Sequence, residues 1–547
     1  MPPAGEKGIS ALTASKTDSS PPPFPSGPPA SVGRLLTEAA GRFGHREFLR
    51  CSDRSLTFAD AERETGAWAR GLAAHGARPG DRVAIMLPND SRWPLSWLAI
   101  LRSGRVAVPV NHAYRSDDLE HVLDDSGALL VLTDADTRPL VEKTTAVRSG
   151  AARVLGVEDL AAANTFGEDT PEEPEPGGDD LANLQYTSGT SGFPKACMLT
   201  HDYWVRMGEV TAGYAEVRAG DVALTAQPFS YIDPMWNTMM CLTAGIPLVV
   251  LPRFSASGFW ADVRAHRATL FYVLGGMPVL LYKRPPHPDD RNNHVRLVMC
   301  SGIVPELHAS LEERWGAPWR EAYGLTETGV DLSVPIGAGH LVGSGKIGYP
   351  VTGKTVRVVD ENDRPAPAGV PGEIVTRGVP MMRGYWNQPE KTAEAMRGGW
   401  FHTGDLGVMD DDGAFRIVGR LKDMVRRGGE NVACAEVEQV LDQHPGVVMS
   451  AVAGIPDEML GEEVKAYVQA AEGHPPTAAA AADIVAFARD RLARFKVPRR
   501  VEFVDDFPLT PSARVSKPAL TARKTDPARG YVVDPDSGQA HPDEGAQ

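Results

Sequence analysis

A chain of 547 residues exceeds what one compact core organises, so two or more domains are expected. Its formal charge of −15 excludes a broad nucleic-acid surface while leaving room for a local basic groove around a small anion. The five cysteines (Cys51, Cys197, Cys241, Cys300, Cys434) lack pairing or metal-ligand spacing, and no apolar run is long enough to cross a bilayer, so a cytoplasmic protein with reduced thiols is expected.

In chain order, residues 1–28 are rich in Pro and Ser and are expected to be disordered, as is the tail 524–547. Apolar spacing predicts helices from Val32 to Ala40, Phe58 to His75, Trp93 to Arg102 and Ser116 to Asp125, interleaved with strands at Val83–Leu87 and Leu129–Thr133. That alternation implies a layered α/β domain with largely parallel strands. The Glu/Pro/Gly-crowded segment 167–180 reads as an exposed acidic linker.

It leads into a predicted strand, Leu181–Tyr186, and then Thr187-Ser188-Gly189-Thr190-Ser191-Gly192-Phe193-Pro194-Lys195. Glycines that let the backbone curl, hydroxyl donors and a fixed positive charge make this a phosphate clamp. Its glycines are three apart and Lys195 follows a proline, which is not P-loop spacing. Thr200 reads as the N-cap of a following helix, and a strand, loop and helix in that order would aim backbone donors at the anion.

Further on, Pro228-Phe229-Ser230-Tyr231 opens an aromatic-rich stretch containing Met235 and Trp236. Buried strands at Ile246–Leu251 and Leu297–Ser301 precede Gly302-Ile303 and then Ala322-Tyr323-Gly324-Leu325-Thr326-Glu327-Thr328-Gly329. A β-rich stretch includes Gly372–Gly378 and Thr403-Gly404-Asp405. A boundary falls near Gly419-Arg420-Leu421-Lys422-Asp423, and about a hundred residues of small α+β domain follow it.

Six stretches taken together, 186–195, 323–327, 372–378, 403–405, 419–423 and Gly428-Gly429-Glu430-Asn431, resemble the adenylate-forming superfamily of acyl- and aryl-CoA synthetases, peptide-synthetase adenylation domains and beetle luciferases. The nearest flavour is that of bacterial acyl-CoA ligases. The resemblance implies a large ATP- and substrate-binding domain (29–419) with a β-rich subdomain, and a small mobile domain (420–523) hinged at its start. It implies ATP, Mg²⁺ and CoA as reactants, and two half-reactions. A carboxylate first attacks the α-phosphate of ATP to give an acyl adenylate and pyrophosphate, and a thiol then displaces AMP.

Carried over residue by residue, Thr187, Ser188, Gly189, Thr190, Ser191 and Lys195 hold the β- and γ-phosphates. Glu327 is the magnesium ligand and Thr326 meets the α-phosphate. Gly302, Ala322, Tyr323 and Gly324 bind the nucleotide, Tyr323 by stacking on adenine. Asp405 accepts the ribose hydroxyls, with Arg420 beside it. Lys422 is the hinge residue. Gly428, Gly429 and Glu430 form the thiolation face, and Arg426 and Arg427 read either as CoA-phosphate contacts or as a basic pair on a solvated loop.

The family's last motif usually reads Pro-Ser-Gly-Lys, but Pro511-Ser512-Ala513-Arg514 here puts arginine in the lysine position. Arg514 performs the lysine's task, or Lys517 reaches in instead, or the chemistry is altered; a guanidinium is not interchangeable with an ammonium. Tyr231 stands where many acyl-CoA ligases carry histidine. With Trp236, Gly302, Ile303, Gly329, Val330 and Asp331 it is expected to line an acyl pocket that favours an aryl or medium-sized acid, while Trp236 and Met235 also read as core.

The leading expectation is an AMP-forming acid–CoA ligase of secondary metabolism acting on a small carboxylic acid, with no nucleic-acid or membrane partner. The alternatives are loading of the acyl adenylate onto a carrier-protein thiol, ATP-dependent activation of nitrite for diazotising an aromatic amine, and a non-catalytic nucleotide-binding relative. No stretch specifies an oligomeric state.

Overall fold

The computed structural model describes residues 31–163, 173–187, 194–428, 430–457, 459–509 and 515–543, with Lys422 and Asn431 described by their backbone. Its first sheet is built on the parallel strands Arg153–Leu155, Leu130–Thr133, Arg82–Met86, Val106–Pro109 and Leu181–Thr187, in that spatial order. Residues such as Val83, Ile85, Val108 and Leu132 are buried, as strands covered on both faces require. Lys195–Thr200 and the two-residue strand Gly384–Tyr385 extend the sheet in antiparallel fashion.

The second sheet is half parallel and half antiparallel. Its parallel half runs Glu47–Arg50, Leu248–Val250, Ala223–Thr225, Leu270–Leu274, Leu297–Ser301 and Trp319–Leu325. The antiparallel half continues through Gly329–Ser333, Lys346–Pro350, Phe415–Arg420, Phe401–Met409, Gly372–Gly378 and Lys354–Val359. The helices His201–Tyr214 and Ile232–Ala244 pack on each other, and Trp204, Met235 and Met239 join one core with Trp97 and Ile85. Thr200 does cap its helix, accepting from the Tyr203 amide at 3.2 Å.

The second sheet ends at Arg420, the turn Leu421–Asp423 follows, and a third sheet starts at Met424. Its long pair Val447–Asp457 and Gly461–Ala470 is flanked by Arg500–Phe503 and by the helices Cys434–Leu441 and Ala478–Arg489. Among the described residues no helix is long and apolar enough to cross a membrane.

Three expectations need correction. The tail is not without structure up to 543: Gly530–Val533 pairs with Arg500–Phe503 and Ala540–Pro542 pairs in turn, because Tyr531 and Val533 alternate onto the small-domain core beside Phe503. Segment 173–180 is more than an exposed linker, since Glu173 forms a bidentate pair with the fully buried guanidinium of Arg105 at 2.6 and 2.7 Å. No helix follows the phosphate loop directly: Thr187 pairs with Lys195 across an antiparallel hairpin, because the apolar run Ala196–Leu199 finds its partner in strand Leu181–Thr187. Strand Lys195–Thr200 therefore stands between that segment and helix His201–Tyr214.

Candidate active site

Lys195 and Glu327 come together across Tyr385. The phenol donates to Glu327 Oε1 at 2.9 Å, and the Lys195 ammonium lies 4.0 Å from the centre of the same ring. The backbone fixes both sides of the arrangement: Trp386 N donates to Ala196 O at 2.9 Å, and Met382 N to Glu327 O at 2.7 Å. Cys197, buried beside them, has its thiol pushed well above the usual range, first by burial and then by the Glu327 charge, and is inert. Thr326 is held by its carbonyl, which accepts from Tyr203 at 2.9 Å. Ser188, Gly189, Thr190, Ser191, Gly429 and Arg514 lie outside the described residues.

A second cluster surrounds Asp405, which is 4 % exposed. Tyr323 donates to Oδ2 at 2.7 Å and Arg420 Nε approaches Oδ1 at 2.7 Å. Tyr323 is itself buried, in an apolar cluster with Leu332, Ile347 and Phe415, so its hydroxyl serves to fix the carboxylate, a role the motif alone did not reveal. Glu373 accepts from the Gly404 amide at 2.9 Å and contacts His402 Nδ1 at 2.8 Å, which sets the start of strand Phe401–Met409 that carries Asp405. Asp363, Glu373 and His402 converge as metal ligands do, but Arg397 pairs with both carboxylates and neutralises the group.

The third element is a slot at the carboxyl ends of the parallel strands, where open α/β sheets bind ligands. Gly302 has φ +95° and an added Cβ would meet nothing nearer than Gly275 N at 3.8 Å. The buried Glu321 accepts from Gly302 N at 2.6 Å and Ile303 N at 3.1 Å, and burial pushes its carboxyl up to about 7 against the pull of these amides. Ser301 donates to the Ala322 carbonyl. Gly324 is required by close approach, since a Cβ there would lie 2.0 Å from Gly329 O.

Tyr231 stands just before helix Ile232–Ala244, with no side-chain capping bond, and its hydroxyl accepts from Asn111 Nδ2 at 3.1 Å. Other residues of the expected pocket are buried in this structure. Val330 is 3 % exposed, and a Cβ on Gly329 would lie 2.5 Å from Met207 Sδ. Trp236 and Met235 belong to the main core. Asp331 is fully buried 3.4 Å from Lys354 Nζ and accepts from Thr328 and Thr376, locking the Glu327 loop to strand Lys354–Val359. Alternation along Gly329–Ser333 could not separate pocket from core because both faces of the strand are covered.

In the small domain, Lys517 Nζ pairs with Glu438 Oε1 at 2.8 Å, tying helix Lys517–Thr521 to helix Cys434–Leu441. Burial lowers its pKa, but Glu438 outweighs this and the net shift is upward. Arg427 is neither a CoA contact nor solvated: it is buried against Glu463 at 2.8 Å and donates to Phe495 O at 2.7 Å. Arg426 and Glu430 are exposed, and Gly428, at φ +58°, donates to Leu460 O at 2.8 Å. Lys422 sits in the turn Leu421–Asp423.

The AMP-binding enzyme family model matches residues 36–386, and that of the AMP-binding enzyme C-terminal domain matches residues 436–514. The chain belongs to the AMP-binding enzyme family. Among members of this family, a feruloyl-CoA synthase from Amycolatopsis sp. is 35 % identical over 486 residues, 88 % of this chain and 96 % of that one. A fatty acid–[acyl-carrier-protein] ligase, ScoC, from Streptomyces coeruleorubidus is 34 % identical over 484 residues, covering 86 % and 92 %. The crystal structure of ATP-bound MatB from Rhodopseudomonas palustris superimposes with a TM-score of 0.82 at 30 % identity, covering 90 % of this chain and 98 % of MatB.

Proposed function

We propose that this AMP-binding enzyme is an AMP-forming acid–CoA ligase whose substrate is an aryl or medium-sized carboxylic acid. The observation that supports the reading is the meeting of Lys195 and Glu327 on Tyr385, a cation for phosphates beside a carboxylate for a metal, together with the anchored Asp405, a carboxylate able to accept from ribose hydroxyls. Lys195 neutralises the leaving pyrophosphate, and Asp405 holds the ribose hydroxyls so that the α-phosphate is presented to the acid. The acid's oxygen bonds to that phosphorus as the bond to the bridging oxygen breaks, and the thiol then forms the thioester as AMP leaves. Glu327, a hard oxygen donor beside the phosphate lysine, fits Mg²⁺. When bound there, the ion spreads the charge of the phosphate oxygens.

Contacts between the small domain and the large one include long polar ones, Gln439 and Gln443 to Glu306 at 3.4 Å and Lys283 to Val448 O at 3.5 Å, and the turn Leu421–Asp423 is read as the hinge for rotation between the half-reactions. Arg514, at the motif's lysine position, is assigned the bridge between acid and α-phosphate. The five cysteines are free, in keeping with a cytoplasmic setting.

The test is pyrophosphate exchange into ATP across aliphatic, aryl and aminoaryl acids, followed by product analysis with free CoA, with an acyl-carrier protein, and with nitrite. Acid-dependent exchange and acyl-CoA formation are expected. Exchange without acyl-CoA but with a loaded carrier protein transfers the reading to the chemistry named for ScoC, and no exchange with any acid overturns it.

A further inference from the structure

We infer that Tyr385 is a positioning residue for adenylation, one side chain that sets the spacing between the metal-binding carboxylate of Glu327 and the phosphate-binding ammonium of Lys195. The inference rests on the ATP-dependent reading above. Lys195 opens strand Lys195–Thr200 and Glu327 lies on the turn between strands Trp319–Leu325 and Gly329–Ser333; they carry opposite charges, and such a pair would ordinarily close on itself. Among the described residues no ion pair joins them, because the Tyr385 ring lies between. Its hydroxyl takes Glu327 Oε1 at 2.9 Å and its face takes the Lys195 ammonium at 4.0 Å. A cation on an aromatic face keeps its N–H donors available to other acceptors, and a carboxylate holding one phenol keeps its charge. Both groups thus stand ready for phosphate and metal, without an ion pair to be broken first.

The placement is built into the backbone. Strand Gly384–Tyr385 pairs in register with Met198 and Cys197, just beyond the phosphate loop. Arg383 N and Trp386 N donate to Met198 O and Ala196 O at 2.9 Å. Tyr385 N donates to Thr392 Oγ1 at 2.8 Å, and the indole of Trp386 donates to Asp125 O at 2.9 Å. A tyrosine kept only for packing would turn its hydroxyl to solvent or to a backbone carbonyl. This one addresses a carboxylate that the reaction uses.

The two contacts can be separated. Y385F deletes the bond to Glu327 and keeps the ring under Lys195, whereas Y385L deletes both. Calorimetric titration of the whole enzyme with ATP, with and without Mg²⁺, reads binding independently of turnover, and the Mg²⁺ dependence of pyrophosphate exchange reads the chemistry. Y385F is expected to raise the half-saturating Mg²⁺ concentration about tenfold, the scale of one hydrogen bond to a charged group, with the affinity for Mg²⁺-free ATP and the KM for the acid unchanged. Y385L is expected to weaken Mg²⁺-free ATP as well, by roughly fivefold.

A wild-type Mg²⁺ dependence in Y385F overturns the inference. So does equal weakening of metal, ATP and acid by both variants in step with a lower melting temperature, the signature of packing alone. If Y385F fails to fold, the Mg²⁺-free ATP affinity of Y385L decides, and an unchanged value there refutes the role. Absence of exchange in the wild type with every acid is a failure of the functional reading instead.

Discussion

Replacing Tyr323 by Phe removes one oxygen atom and isolates what that oxygen does. In the native enzyme it donates to Asp405 Oδ2 at 2.7 Å, while Oδ1 is held by Arg420 Nε at 2.7 Å. A hydrogen bond to a charged group contributes about 1.5–3 kcal/mol. Arg420, with 37 % of its side chain exposed, stays in place and keeps half of the anchorage, so a value around and below the bottom of that range applies, about 1–2 kcal/mol. If the ribose contact is lost by that amount, kcat/KM for ATP falls by roughly 5–30-fold. The ring, and any stacking it provides, is unchanged. Steady-state pyrophosphate exchange at varied ATP and fixed acid measures the effect, and the KM for the acid is expected to stay within twofold. An ATP term that moves less than twofold, or an equal loss in the acid KM, refutes the assignment of Tyr323 and Asp405 to the ribose.

The remaining predictions concern groups that the structure takes out of the chemistry or makes responsive to pH. Lys517→Ala is expected to destabilise the small domain by about 1–3 kcal/mol for a partly buried pair, seen as a lower melting temperature, while the adenylation rate at 25 °C stays within threefold; a hundredfold loss of exchange would place Lys517 in the active site. Lys354→Met leaves Asp331 charged and buried, so the urea midpoint is expected to drop by the equivalent of about 3–5 kcal/mol, and a shift under 1 kcal/mol contradicts the ion pair. Glu321 binds its proton more tightly folded, near 7, than unfolded, near 4.5, so its contribution to stability is present below about 4.5 and is lost as pH rises to about 7. The wild type should therefore lose about 1.4 kcal/mol per pH unit relative to E321Q across that window, as read from chemical denaturation at several pH values, and parallel profiles for the two proteins would refute the shift.

What the sequence made legible follows from where each signal resides. Helix and strand positions in the first sheet were readable because buried parallel strands are unbroken apolar runs and the helices keep a one-sided period. Lys195, Glu327 and Asp405 were singled out by motif order, and the structure brings the first two together on Tyr385 and anchors the third; their roles toward ATP are the proposal above. Their partners were not singled out. Tyr385 lies in a two-residue strand and reaches Glu327 across 58 positions of sequence, and Glu373 reaches Gly404 across 31, distances over which no local pattern operates. Arg427 and Lys517 looked available for chemistry because a basic residue in a loop or at a helix start looks solvated, whereas Glu463 and Glu438 claim them from other elements. The tail was misjudged on composition: its Pro, Asp and Gly residues outnumber the few, Tyr531 and Val533, that seat it.

That seating bears on how the protein tolerates shortening. Strand Arg500–Phe503 holds a parallel partner on one side, and the final hairpin supplies the other through residues 530–533. Cutting the chain after helix Lys517–Thr521, where the last family motif has already passed, would leave that strand as a bare edge with Val501 and Phe503 beneath it. Such an edge recruits strands from other molecules. Trimmed enzyme is therefore expected to elute as soluble aggregates in size-exclusion chromatography, and tags are better placed beyond residue 543 than in exchange for the hairpin.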